Sequence, residues 1–124
     1  MPFVANWIHL VWAVKNREPL LTDTLRPTIF AHIRANALRK ELPIDHLNGW
    51  HNHVHALFQL PSTVALAYAV KLFKGESSHW INAEGLVEGF AWQTEYWAAS
   101  VSPRAVAEVR AYTKTGSPSP YHLI

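Results

Sequence analysis

The chain has 124 residues, 49% of them hydrophobic and 16% charged, with a net charge of +2. This composition predicts a single domain spanning residues 1–124 and argues against global disorder. The absence of cysteine excludes disulfides, thiolate metal sites and a cysteine nucleophile. No basic segment precedes the first apolar stretch, and His9 and Lys15 bound it closely, so it fits neither a signal peptide nor a membrane span. We expect a cytoplasmic protein with no membrane partner.

Residues 5–40 predict a strand followed by a helix. Residues 5–15 are apolar on both alternating faces, with His9 on one of them, which is typical of a central strand covered on both sides. Residues 16–19 break this strand. A helix is predicted to begin at Thr22 or Asp23 and to run to about Lys40. Its buried stripe is expected to contain Leu25, Ile29, Ile33 and Ala37.

The rest of the chain predicts a hairpin, a second helix, a strand and a third helix. Residues 44–50 and 53–60 are predicted strands, and their short link indicates an antiparallel hairpin. Ser62 or Thr63 is expected to cap a helix that Gly75 weakens. A short strand is predicted at 95–100, and Ser102 with Pro103 should open a helix to about Thr113. Residues 116–124 are expected to form a frayed or atypical tail.

This order of elements predicts an α+β fold of the ferredoxin-like kind. Such a fold has an antiparallel sheet with two helices on one face, and the third helix is an addition at the C-terminus. The same architecture serves many functions, so the fold does not by itself identify the activity.

His53 and His55 are the strongest candidates for chemistry. Residues two apart on a strand project to the same face, so their imidazoles can chelate one divalent metal. Val54, Ala56 and Phe58 would line the opposite face, so neither histidine is expected to fill the core. The pattern also fits a histidine pair with no ligand. Imidazole alone favours Zn²⁺, Cu²⁺ or Ni²⁺ over Mg²⁺.

Four segments, in order along the chain, resemble the HUH single-tyrosine transposases of small bacterial insertion sequences, the IS200-like family. These segments are residues 8–17 (IHLVWAVKNR), 48–55 (NGWHNHVH), 74–82 (KGESSHWIN) and 92–96 (WQTEY). The resemblance covers the chain from residue 8 to about residue 112.

The resemblance implies that His53 and His55 bind Mg²⁺ or Mn²⁺ and that Tyr112, on the C-terminal helix, is the nucleophile. It further implies cleavage and rejoining of single-stranded DNA at hairpin-forming element ends through a 5′-phosphotyrosine. Periodicity alone would instead place Tyr112 in the core, because it shares an apolar helix face with Ala105 and Val109. Tyr96 and Tyr121 are the other candidate nucleophiles.

The chain departs from the family pattern at two positions. Gly116 stands four residues after Tyr112, where the family has a glutamine as third metal ligand. Asn52 stands where many relatives have an aspartate, so a carboxylate that would support the first histidine is expected to be missing. The alternative interpretation is therefore a catalytically impaired, DNA-binding relic. A two-histidine phosphoesterase fits less well, because the chain lacks two separated His-x-Ser/Thr motifs.

DNA and a second copy of the chain are the expected partners. A homodimer through sheet edges or the last helix is predicted, because an exposed edge strand and surplus aromatic residues favour association. Trp7, Trp12 and Trp92 are expected in the core. Each candidate phosphate contact also fits a solvated charged surface; the candidates are Lys15, Arg17, Lys71, Lys74, Ser77 and Arg110.

Overall fold

A computed structural model describes the backbone of residues 5–113 and the side chains of residues 5–111. Short 3-10 turns follow the first and the last strand, at Lys15–Arg17 and Pro103–Ala105. The longer elements are β1 (Trp7–Val14), α1 (Leu25–Arg39), β2 (Ile44–Gly49), β3 (His53–Gln59), α2 (Leu66–Ala83), β4 (Trp92–Val101) and α3 (Val106–Thr113).

The four strands form one antiparallel sheet in the order β2-β3-β1-β4. This topology confirms the predicted α+β, ferredoxin-like fold with an added C-terminal helix. β1 is a central strand, as its two apolar faces predicted, and its last seven residues are buried. In the register, Ala13 lies opposite His53, and Val11 lies between His55 and Trp97.

The hydrophobic core lies between the sheet and the helix pair α1 and α2. Alternate residues of β1 and β3 enter it, and Trp12 and Phe58 are both fully buried. Ile29, Ile33 and Ala37 of the predicted α1 stripe are buried, whereas Leu25 is only partly buried. Burial of each large side chain removes apolar surface from water and contributes about 1.5–3 kcal/mol.

Helix starts agree only in part with the predictions. α1 begins at Leu25 with Thr24 as its N-cap residue and without a side-chain cap there, although the Thr22 side chain accepts a hydrogen bond from the Leu25 amide at 3.2 Å. The predicted cap of α2 at Ser62 or Thr63 was wrong, because this helix begins at Leu66 without a side-chain cap. Gly75 does not interrupt α2, since the helix continues to Ala83. The Ser102 side chain accepts from the Ala105 amide at 3.3 Å, as predicted for the last helix.

β4 begins at Trp92, three residues before the predicted start at Glu95. Two contacts from α2 fix this early section. The indole of Trp92 donates to the Ser77 hydroxyl at 2.9 Å. The Lys74 ammonium donates to the backbone carbonyls of Gln93 and Thr94 at 2.7 and 3.0 Å. No helix within residues 5–113 is long and apolar enough to cross a membrane.

Candidate active site

His53 and His55 project from β3 on the same face of the sheet, as predicted. Their ring centroids lie 5.0 Å apart and their planes cross at 73°. This face is opposite the hydrophobic core, and α3 packs against β2 and β3. Both side chains are nonetheless buried, with 4% and 2% exposure. As expected, neither histidine belongs to the core between sheet and helices; both are buried on the opposite face of the sheet.

Asn52 orients the first imidazole. The Oδ1 atom of Asn52 lies 2.8 Å from His53 Nδ1 and can only accept a hydrogen bond, so the imidazole nitrogen donates. With the proton on Nδ1, the lone pair of a neutral His53 lies on Nε2, and this is the form that binds a metal ion. The amide oxygen of Asn52 thus supplies the acceptor that a carboxylate was expected to provide.

His9 supports the second imidazole. Its Nε2 lies 3.0 Å from His55 Nδ1, and the two rings stack with centroids 5.3 Å apart. When His55 Nδ1 donates this bond, its Nε2 is left as the ligand atom. The sequence analysis did not assign His9 to the site. The signal was present, because alternation places His9 and Val11 on one face of β1, and Val11 pairs with His55.

Burial favours the neutral forms of His9 and His55. It lowers the pKa of His9 to about 4. Burial also lowers the pKa of His55 to about 3, and repulsion from His53 and His9 adds to this effect whenever those rings are protonated. At neutral pH both rings are uncharged, so protons do not compete with a metal for their lone pairs.

The two imidazoles fit a divalent cation as a pair of nitrogen donors on one face of β3, each oriented by a hydrogen bond at Nδ1. Within residues 5–113 no third histidine or carboxylate joins them to form a larger ligand cluster. Gly116, the position of the expected third ligand, lies outside the described residues.

α3 carries the backbone of Tyr112, whose side chain lies outside the described part of the chain. The helix is tied to β2 by a bidentate ion pair. Arg110 Nε and Nη2 donate to the two carboxylate oxygens of Asp45 at 2.8 and 2.9 Å. The hydrogen bond from Arg110 is the main cause that lowers the pKa of Asp45. Arg110, predicted as a DNA contact, therefore fixes the helix that bears the tyrosine.

The remaining predicted DNA contacts divide into two groups. Lys15, Arg17 and Lys71 are exposed. Ser77 is only 1% exposed and is hydrogen-bonded inside the fold, so the prediction that it contacts DNA was wrong. Lys74 is partly buried and directs its ammonium to backbone carbonyls, so it stabilises the start of β4.

Lys15 and Arg17 lie at the same end of the sheet as His53. Both belong to the 3-10 turn that follows β1, close to Ala13, the partner of His53. The turn has left-handed backbone at two residues, with φ of 58° at Asn16 and 53° at Arg17. The Asn16 amide donates to the Gln93 side chain at 2.9 Å, and this bond stabilises the strained turn.

The sequence matches the family described as "Transposase IS200 like" over residues 3–115, and the chain belongs to this family. Two solved structures are similar in fold. One is a candidate transposase from Deinococcus radiodurans R1, with a TM-score of 0.73, 22% identity, and coverage of 96% of this chain and 97% of that chain. The other is a REP-associated tyrosine transposase bound to a REP hairpin, with a TM-score of 0.67, 16% identity, and coverage of 91% and 67%. No curated protein is significantly similar.

Proposed function

We propose that this transposase cleaves and rejoins single-stranded DNA, with Tyr112 as nucleophile and with His53 and His55 as ligands of a divalent metal ion. The observation that carries the proposal is the arrangement around the two imidazoles. They share one face of β3, and each has its Nδ1 bonded to a neighbouring side chain, Asn52 or His9. α3, the helix that bears Tyr112, packs against this strand.

The proposed chemistry is a transesterification. The Tyr112 phenol oxygen attacks the phosphorus, the phosphorus–O3′ bond breaks, and the DNA 5′ end becomes a phosphotyrosine. The phenol loses its proton to solvent, and the departing O3′ takes up a proton as a free hydroxyl. A 3′ hydroxyl later reverses the step, so rejoining needs no ATP. A bound Mg²⁺ or Mn²⁺ would supply neutralisation of phosphate charge and so favour attack by a weakly acidic phenol.

The proposed substrate is a hairpin-forming element end. The REP-associated relative with a similar fold is described as bound to a REP hairpin, which supports a DNA hairpin as ligand here. Lys15 and Arg17, exposed at the His53 end of the sheet, are the cations we propose for phosphate contact.

Formation of the covalent adduct tests the mechanism. A labelled single-stranded hairpin oligonucleotide incubated with Mg²⁺ or Mn²⁺ should give a protein–DNA adduct on a denaturing gel. Tyr112→Phe should remove the adduct and retain DNA binding. Tyr68→Phe, at an exposed position on α2, is the matched control and should behave as wild type. An adduct that persists in Tyr112→Phe would shift the assignment to Tyr96 or Tyr121.

The second candidate function is a DNA-binding relic with impaired catalysis. Gly116 favours it, because glycine cannot supply the side-chain ligand that the family places there. If the protein binds the hairpin but forms no adduct with either Mg²⁺ or Mn²⁺, it is a DNA-binding relic. Cleavage as fast as in complete relatives would mean that another residue completes the metal shell.

We also propose a homodimer in which α3 can serve the metal site of the partner. Light scattering at micromolar concentration should give the mass of two chains. A monomer under those conditions would contradict this part of the proposal.

A further inference from the structure

The turn between β2 and β3 exposes a pair of stacked rings. Trp50 retains 37% of its surface in contact with solvent, whereas Trp12 in the core retains none. The Trp50 indole stacks on the His51 imidazole, with ring centroids 4.7 Å apart and planes 26° from parallel. Trp50 is not part of the hydrophobic core cluster. A large flat ring pair thus remains partly accessible at the surface.

Neighbouring side chains hold this pair in place. The Arg26 guanidinium carbon lies 5.7 Å from the centre of the Trp50 ring. The Asp23 carboxylate accepts from Arg26 at 2.8 Å and lies 3.3 Å from His51 Nε2. The backbone of the turn is fixed by the Leu21 amide, which donates to the His51 carbonyl at 2.9 Å. The stacked surface is therefore formed before any ligand arrives, which lowers the entropy cost of binding.

The ring pair lies at the same end of the sheet as His53. The Trp50 amide donates to the His53 carbonyl at 3.0 Å, so Trp50 lies directly opposite His53 in the hairpin. Exposed Lys15 and Arg17 lie at the same end of the sheet. Proteins that bind single-stranded nucleic acid combine these two features, cations along the backbone path and aromatic rings on which bases stack.

We infer that the Trp50–His51 pair stacks on an unpaired nucleobase next to the phosphate at the His53 end of the sheet. The inference rests on the proposed function for the identity of that phosphate. Because every base has a π face, the contact selects unpaired bases over paired ones and does not select a sequence. Asp23 offsets the charge of Arg26, so the contact adds stacking and leaves phosphate neutralisation to Lys15 and Arg17.

Fluorescence anisotropy with labelled oligonucleotides tests the inference, in EDTA so that binding is measured without cleavage. Trp50→Ala in the full chain should weaken binding of unpaired DNA by about tenfold, since base–aromatic stacking is worth about 1–3 kcal/mol per base. The slope of affinity against salt concentration should stay unchanged, because no phosphate contact is lost. Tyr68→Ala is the matched control: Tyr68 is 55% exposed on α2, and its removal should leave affinity unchanged.

An abasic scan of the oligonucleotide locates the stacked base. One abasic position should weaken binding to the wild type but not to Trp50→Ala, because that variant has already lost the contact. Trp50→Phe keeps a ring and should retain part of the affinity, which separates lost stacking from a folding defect. Equal affinities of wild type and Trp50→Ala, a changed salt slope, or no sensitive abasic position would each overturn the inference.

The proposed function and the inference can fail separately. Trp50-dependent binding without a Tyr112 adduct would contradict the catalytic proposal and retain the base contact. An adduct at Tyr112 with DNA binding that does not depend on Trp50 would support the catalytic proposal and contradict the base contact.

Discussion

At the scale of single residues, the orientation of the two candidate ligands depends on their neighbours. Asn52 holds the Nδ1 atom of His53, and His9 holds that of His55. The sequence was sufficient to place His53 and His55 on one face, because alternation along a strand is a local property. It was not sufficient to find His9 as a partner, because that contact depends on the register between β1 and β3.

Asn52 should determine how tightly the metal binds. Asn52→Ala removes the acceptor of His53 Nδ1 and should weaken Mn²⁺ binding about 10- to 100-fold. Asn52→Asp restores an acceptor with a negative charge and should bind Mn²⁺ at least as tightly as wild type. Titration calorimetry of both variants measures this, and equal affinities of Asn52→Ala and wild type would contradict the role of Asn52.

Substitution of either candidate ligand should abolish metal-dependent cleavage. His53→Asn and His55→Asn each remove an imidazole that is at least 96% buried, so a loss of about 1–3 kcal/mol in unfolding free energy is also expected. His79→Asn, at an exposed position on α2, is the control for both measurements. Adduct formation at the wild-type rate in His55→Asn would remove that residue from the site.

At the scale of elements, the order and type of every strand and helix followed from local periodicity. The errors occurred at the starts of two elements, β4 and α2. β4 begins early because Lys74 and Ser77 of α2 bind its first residues, and those contacts join positions at least 15 residues apart. α2 begins late, without the predicted side-chain cap. Local sequence does not encode such contacts.

Lys74 should matter for stability and Lys71 should not. Lys74→Met leaves the carbonyls of Gln93 and Thr94 without their donor and should reduce the free energy of unfolding by about 1–2 kcal/mol. Lys71→Met, on the exposed side of the same helix, should change it by less than about 0.5 kcal/mol. Urea denaturation separates the two. A larger loss of stability in Lys71→Met than in Lys74→Met would contradict the structural role of Lys74 and leave it as a candidate DNA contact.

Gly116→Gln tests the length of the last helix. A glutamine four residues after Tyr112 faces the same side only if helical geometry continues past Thr115. Pro118 and Pro120 oppose such an extension, so we expect little gain in cleavage rate. A clear rise in the rate of adduct formation would show that the helix extends and that the glutamine supplies the missing ligand.

At the scale of the whole molecule, the buried histidines make stability depend on pH. The pKa of His9 is about 4 and that of His55 about 3 in the folded chain, both below the ordinary value of 6.5. Below pH 6.5 the unfolded chain therefore binds protons that the folded chain excludes, so the stability present at neutral pH is lost as pH falls. Between pH 7.5 and 5 we expect a loss of about 2 kcal/mol for each of the two histidines, or about 4 kcal/mol together.

Thermal unfolding across this pH range measures the effect. His9→Gln should flatten the dependence, because it removes one of the two groups with a lowered pKa. His79→Gln changes an exposed histidine and should leave the dependence as in wild type. Stability that is constant from pH 7.5 to 5 would contradict the buried, neutral state of the pair.

The central position of β1 has a consequence for synthesis of the chain. The ribosome makes β1 first, yet its two neighbours are residues 53–59 and 92–101. The most apolar strand of the sheet therefore cannot pair along both edges before almost the entire described chain has been made. At about 5–20 residues per second, this interval lasts roughly 5–20 seconds. Throughout it β1 presents apolar side chains and unpaired backbone groups, the features that make incompletely folded chains prone to aggregation.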